Sequence, residues 1–113
     1  MGVVMNIYKI LLVEDGVYVG EIKKGKPDGR GVLKYSNGSK YVGEFQEGKY
    51  EGQGMLTCCD GTTYEGEWAE NHMHGKGKLI SQGDVQEGWW FMDNFECHYG
   101  DELEGHTFFK TNK

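Results

Sequence analysis

Tyr41-Val42-Gly43-Glu44-Phe45-Gln46-Glu47-Gly48-Lys49-Tyr50-Glu51-Gly52-Gln53-Gly54-Met55-Leu56 contains two phrases, Tyr-x-Gly-x-Phe and, seven residues after Phe45, Gly-x-Gly-x-Leu. Both recur 23 residues earlier, as Tyr18-x-Gly20-x-Ile22 and Gly29-x-Gly31-x-Leu33. They recur again 23 residues later, as Tyr64-x-Gly66-x-Trp68 and Gly75-x-Gly77-x-Leu79. A fixed period of this size marks a repeat array, in which each unit buries its apolar face against its neighbours.

The phrases are separated by Gly25-Lys26-Pro27-Asp28, Gly48-Lys49-Tyr50-Glu51 and Asn71-His72-Met73-His74, which read as loops. Each unit closes on Asn37-Gly38, Asp60-Gly61 or Gln82-Gly83, and Asn-Gly and Asp-Gly pairs supply the positive φ of a two-residue hairpin turn. One unit is therefore two short strands and two turns. The fold class expected is all-β, a single-layer curved antiparallel sheet of successive hairpins.

Side chains alternate along a strand, so Tyr41, Gly43 and Phe45 share one face with Gly52, Gly54 and Leu56 of the next strand. A ring laid over bare glycine backbone gives a reason for glycines that otherwise cost about 0.5–1 kcal/mol each inside a strand. The core stripe expected is Tyr18, Tyr41, Tyr64, Phe45, Trp68, Leu33, Leu56 and Leu79. The other face reads as solvated charge, Glu21, Glu44 and Glu67 alternating with mostly basic strands that carry Arg30, Lys34, Gln53, Lys76 and Lys78.

The 113 residues, 37% of them hydrophobic, fit one domain spanning 1–113. Within it, 1–17 reads as a degenerate cap, 18–83 as three full repeats and 84–113 as a decaying repeat with a C-terminal cap. Lys9 to Val13 falls where the second strand of a unit would lie. Gln86-Glu87-Gly88-Trp89-Trp90 matches Tyr64 to Trp68 after one deletion, with Gln86 in the tyrosine place. Phe91 to Phe95 and Thr107-Phe108-Phe109 are expected to cover the last strand or to meet another chain.

Net charge is −6, with 8 basic and 6 acidic residues in 1–50 but 4 and 12 in 51–113. Nucleic-acid phosphates need a basic stripe, so no nucleic-acid partner is expected. No run of 18 apolar residues predicts a transmembrane helix, and Val3 to Val13 is too interrupted for a signal peptide. The localisation expected is cytoplasmic, peripheral to a membrane or the cytoskeleton.

Cys58 and Cys59 are neighbours that point to opposite faces and are poorly placed to bridge one another. With three cysteines no disulfide scaffold is expected, and the usage suggests a reducing compartment. Cys97, His98, His72, His74 and His106 lack zinc-ligand spacing, so no metal and no cofactor are expected. Without a phosphate loop or a nucleophile paired with a base, catalysis is not expected either.

The phrases, loop, closing turn and period together resemble the MORN repeat family, most clearly from Tyr41 through Gly61 and from Tyr64 through Gly83. Ile22 in the aromatic place and Asn71 in the loop-glycine place depart from the pattern. The resemblance implies a non-catalytic scaffold or adaptor linking proteins to membranes or the cytoskeleton. It also implies an extended or helical peptide held along the aromatic groove, and dimerisation through an end.

The groove residues expected to meet a protein or peptide partner are Tyr18, Tyr41, Phe45, Tyr64, Trp68 and Trp90. A second reading is a peripheral phospholipid-binding module that uses Lys23, Lys24, Lys26, Arg30, Lys34 and Lys40. Each basic group near an anionic surface contributes about 1 kcal/mol, which supports only weak, salt-sensitive contact.

Overall fold

The computed structural model describes residues 8–93, which form eight strands in one antiparallel sheet. In chain order these are β1 Tyr8–Val13, β2 Gly16–Lys23, β3 Lys26–Tyr35, β4 Lys40–Gln46, β5 Lys49–Thr57, β6 Thr63–Ala69, β7 His72–Ser81 and β8 Asp84–Asp93. Sheet order equals chain order, so every connection is a hairpin. The all-β expectation holds, and β1 supplies the strand anticipated before the first full unit. Of the residues expected to cover the last strand or meet another chain, Phe91 to Asp93 are instead the end of β8 itself, and Asn94, Phe95 and Thr107 to Phe109 lie outside the described residues.

The turns differ from expectation in a way that lengthens the strands. Lys24-Gly25, Glu47-Gly48 and Glu70-Asn71 each have positive φ at both residues, the signature of a two-residue hairpin turn. The three segments read as loops therefore belong mostly to β3, β5 and β7, and Met73 becomes a core residue at 2% exposure.

Gln82-Gly83 makes the same tight turn, but Asn-Gly and Asp-Gly do not. Asn37 Oδ1 accepts a bond from the Ser39 amide (2.8 Å) and Asp60 Oδ1 one from the Thr62 amide (3.0 Å), and only Gly38 and Gly61 have positive φ there. The short polar side chains close Asx turns inside longer loops, so a glycine pair was not required at those corners.

One register row consists almost wholly of glycine. Gly20, Gly31, Gly43, Gly54, Gly66, Gly77 and Gly88 are cross-strand partners from β2 to β8. The adjacent row on the same face is Leu11, Tyr18, Leu33, Tyr41, Leu56, Tyr64, Leu79 and Gln86. Tyrosine and leucine alternate from strand to strand, and each tyrosine ring leans over the glycine row. A Cβ built on Gly31, Gly54 or Gly77 would collide with the ring of Tyr18, Tyr41 or Tyr64. Of the expected core stripe only Leu33 is not fully buried, and Met73 and Trp90 join it.

Register shifts by two residues after Gly20, Gly43 and Gly66, at the same place in each unit. Such a bulge leaves backbone groups without a ladder partner. Glu21 Oε1 accepts from the Arg30 amide and Glu44 Oε1 from the Gln53 amide, both at 3.1 Å. The corresponding Glu67 carboxylate occupies the space that a Cβ on Gly75 would need. These glutamates are thus held down on the sheet, rather than standing out as one half of a charged surface.

Candidate partner-binding site

The aromatic face is assembled from one tyrosine per full unit, joined by Phe45 in the second unit and Trp68 in the third. The hydroxyls of Tyr18, Tyr41 and Tyr64 donate to the carbonyls of Glu21 (2.8 Å), Glu44 (2.9 Å) and Glu67 (3.2 Å), three residues along the same strand. Trp68 Nε1 donates to the Gly54 carbonyl and Trp90 Nε1 to that of Gly77, each at 3.2 Å. Buried polar tips are thereby satisfied, and the rings are fixed relative to the backbone.

Phe45 packs edge-on against Tyr18 and Tyr41 at 5.0 Å, and Trp68 against Tyr41 at 5.7 Å and Tyr64 at 5.0 Å. Trp90 continues the series against Tyr64. The six expected groove residues are therefore brought together in one continuous column, but at 0–6% exposure they form its core. The surface of this face is made by half-buried Leu11, Ile22, Leu33 and Tyr50, with Tyr50 stacked on Tyr41 at 3.8 Å. Tyr50 was legible only as a loop residue, because the tight turn that places it on β5 was not apparent from spacing.

Burial governs the protonation of the same rings. Loss of solvent, then the charge of Glu21, pushes the Tyr18 hydroxyl up to about 12, and burial followed by Glu44 or Glu67 raises Tyr41 and Tyr64 as well. The folded chain holds these protons more tightly than the unfolded chain, whose tyrosines ionise near pH 10. Their contribution is fully present below about pH 10 and is lost as pH rises through the folded value. Thermal unfolding followed by circular dichroism is expected to show a falling midpoint from about pH 10 to 12. Tyr18→Phe should make that fall shallower while lowering stability at neutral pH through the lost bond to Glu21.

The six basic residues are not one cluster. Lys23, Lys24 and Lys26 surround the β2–β3 turn, whereas Lys34 and Lys40 are cross-strand partners near the other end of β3. Eight residues of strand separate Lys26 from Lys34, roughly 26 Å. Arg30 lies between them, its Nη1 3.5 Å from Glu44 Oε2.

Cys58 is buried and disulfide-bonded, and its disulfide is not to the exposed neighbour Cys59. That the two do not pair is as expected, but a disulfide at Cys58 takes away the support that cysteine usage gave to a reducing compartment. His72 and His74 sit on β7, with His74 Nδ1 accepting from the Met92 amide at 3.3 Å. Among the described residues no group of three or more His, Cys, Asp or Glu could hold a metal ion.

The exposed face departs furthest from expectation. Val17, Val19, Val42 and Met55 are exposed there, together with Ile10 and Leu12 of β1. These residues lie at positions opposite the rings in the alternation, and they were passed over because only charged residues were followed on that face.

Among curated proteins, none matches the chain. A family model described as MORN repeat matches three consecutive stretches, residues 18–40, 41–63 and 64–85, each opening on one of the three buried tyrosines. These matches cover more than half of the sequence and coincide with the units of the sheet, and the chain belongs to the MORN repeat family.

Proposed function

We propose that this chain is a non-catalytic interaction scaffold that holds an extended or helical peptide of a partner protein against its aromatic face. MORN repeats are generally protein- or membrane-interaction modules. The observation that carries the finer reading is the half-buried apolar layer of Leu11, Ile22, Leu33 and Tyr50 above the ring column. Its members come from β1, β2, β3 and β5, so a ligand lying on them extends across neighbouring units. The six rings act from beneath, setting its height and rigidity rather than touching the partner directly.

β1 and β8 each have a neighbouring strand on one side only among the described residues. Such edges are where a second copy would add a strand, giving dimerisation through an end. The phospholipid reading gains less support, since the fold divides its basic residues between two ends of β3.

Replacing Tyr50 by the photo-crosslinking aromatic benzoylphenylalanine keeps a ring over Tyr41 and tests the reading. In cell extract, position 50 is expected to capture a defined partner segment, whereas the same probe at Lys78 on the charged half of the opposite face is not. Equal capture at both positions, or none at position 50, would refute it.

A further inference from the structure

We infer that the face opposite the rings carries a second docking surface, for an amphipathic partner helix with an apolar stripe bordered on one side by acidic side chains. One register row crosses the sheet on this face as Ile10, Val19, Val32, Val42, Met55, Glu65, Lys78 and Glu87. Its first five members are apolar, and Ile10, Val19, Val42 and Met55 are 70, 44, 43 and 39% exposed. Its last three alternate in sign.

The charged half shows what the repeat itself needs at these positions. Opposite charges across strands keep the face soluble, and the sheet continues there in the same register. Valine and methionine at the equivalent places in β2 to β5 are therefore not demanded by the fold. A contiguous exposed apolar strip with a polar boundary is the usual mark of an interaction surface.

Three observations select the occupant. Strands lie about 4.8 Å apart, so the five apolar residues span roughly 19 Å at that spacing. The apolar stripe of a helix laid across the strands repeats every three or four residues, about 5 Å, which matches this step, and roughly 13 residues would cover the row. An extended peptide places same-side residues about 6.6 Å apart and falls out of step.

Charge supplies the second argument. Lys34 and Lys40, both exposed cross-strand partners, flank the row on one side, and exposed Arg30 flanks it on the other. The acids on that second flank, Glu21 and Glu44, accept bonds from backbone amides. Arg30 is paired with Glu44, so it is Lys34 and Lys40 that suit acidic side chains, along one side of an apolar stripe.

The third argument is the boundary. A membrane is planar and would meet Glu65 and Glu87 along with the apolar half, whereas a helix of this length ends before them. A second copy laid face to face with its strands parallel brings Lys34 against Lys40, and like charges so placed oppose association. A shallow hollow walled by Val19, Val32, Val42 and Arg30 lies beneath the proposed helix.

The test uses the full chain and two synthetic helical peptides that share a leucine stripe, bordered on one side by glutamates in one and by lysines in the other. Titration followed by NMR is expected to show the glutamate peptide binding at least tenfold more tightly, with shifts at Val19, Val32 and Val42 and not at Tyr50. Val32→Glu with Val42→Glu, confirmed folded by circular dichroism, should abolish the binding, while Glu65→Ala should leave it unchanged.

No binding of the glutamate peptide, equal affinity for the two peptides, or binding that survives the double substitution overturns the inference. So does flotation with anionic phospholipid vesicles that the same double substitution removes, which would assign the row to a membrane. Sedimentation as a dimer that the double substitution converts to monomer would assign it to a second copy, and overturns it equally.

Discussion

Gly54→Val is expected to lower the unfolding free energy by about 3 kcal/mol or more, the upper end of what overpacking a filled core costs. The Cβ of any larger residue at position 54 would enter the space of the Tyr41 ring and hydroxyl. Tyr41 cannot move aside easily. Phe45, Tyr50 and Trp68 surround it, and its hydroxyl is bonded to the Glu44 carbonyl.

The backbone cannot yield either, because Gly54 is paired with Gly43 on one side and Gly66 on the other. Gly54→Ala should cost less than valine but still about 1–3 kcal/mol. If crowding against the ring is the cause, the cost of Gly54→Ala will shrink markedly in a Tyr41→Leu background. Chemical denaturation of the four proteins measures that coupling. Equal cost in both backgrounds would mean that the glycine is needed for the strand and not for the ring.

Trp68→Ala is expected to cost about 3–5 kcal/mol, the range for emptying a large aromatic site from a core. The indole contacts rings from two units, Tyr41 and Tyr50 on one side and Tyr64 on the other, and its Nε1 bonds to the Gly54 carbonyl. Its removal therefore leaves a cavity and frees a bonded carbonyl at once. Against a total stability of about 5–15 kcal/mol for an ordinary domain, that loss brings the chain near unfolding at room temperature.

Trp68→Phe keeps most of the volume and loses only the indole bond, so it should cost roughly 1–2 kcal/mol. Urea midpoints for the two variants give the comparison. Similar midpoints would show that the bond to Gly54, rather than packing, dominates at this site. The same burial makes Trp68 and Tyr41 unsuitable as probes of partner contact, since lost binding would follow lost structure. Tyr50, only partly buried at the surface of that face, avoids this confusion.

Much of the architecture was legible in the spacing. Tyr18, Tyr41 and Tyr64 gave the period, Ile22, Phe45 and Trp68 the second column of the core, and the Gly-x-Gly phrases the bare backbone under the rings. Alternation of side chains was enough to assign these to one face.

The positions of the turns were not legible. Lys24, Glu47 and Glu70 adopt left-handed backbone without being glycine or asparagine, because the twist of the flanking strands imposes the turn type. With the turns misplaced, Met73 and Tyr50 were read as loop residues although they pack with the rings.

The clustering of the six aromatic residues was legible, and their burial was not. The six aromatic residues do lie together, yet how much of each remains accessible depends on what lies above it, and no spacing reports that. Leu33 and Tyr50 pack against the ring column yet stay only partly buried.

The sequence alone determined that this protein is a repeat sheet with rings over glycine, because period and alternation are properties of the chain itself. Only the tertiary structure decided which apolar residues meet solvent. Ile10, Val19, Val32, Val42 and Met55 are scattered along the chain, and cross-strand register alone sets them side by side. Register is fixed by where each turn falls and where each bulge shifts the pairing, and those are set by the packed sheet.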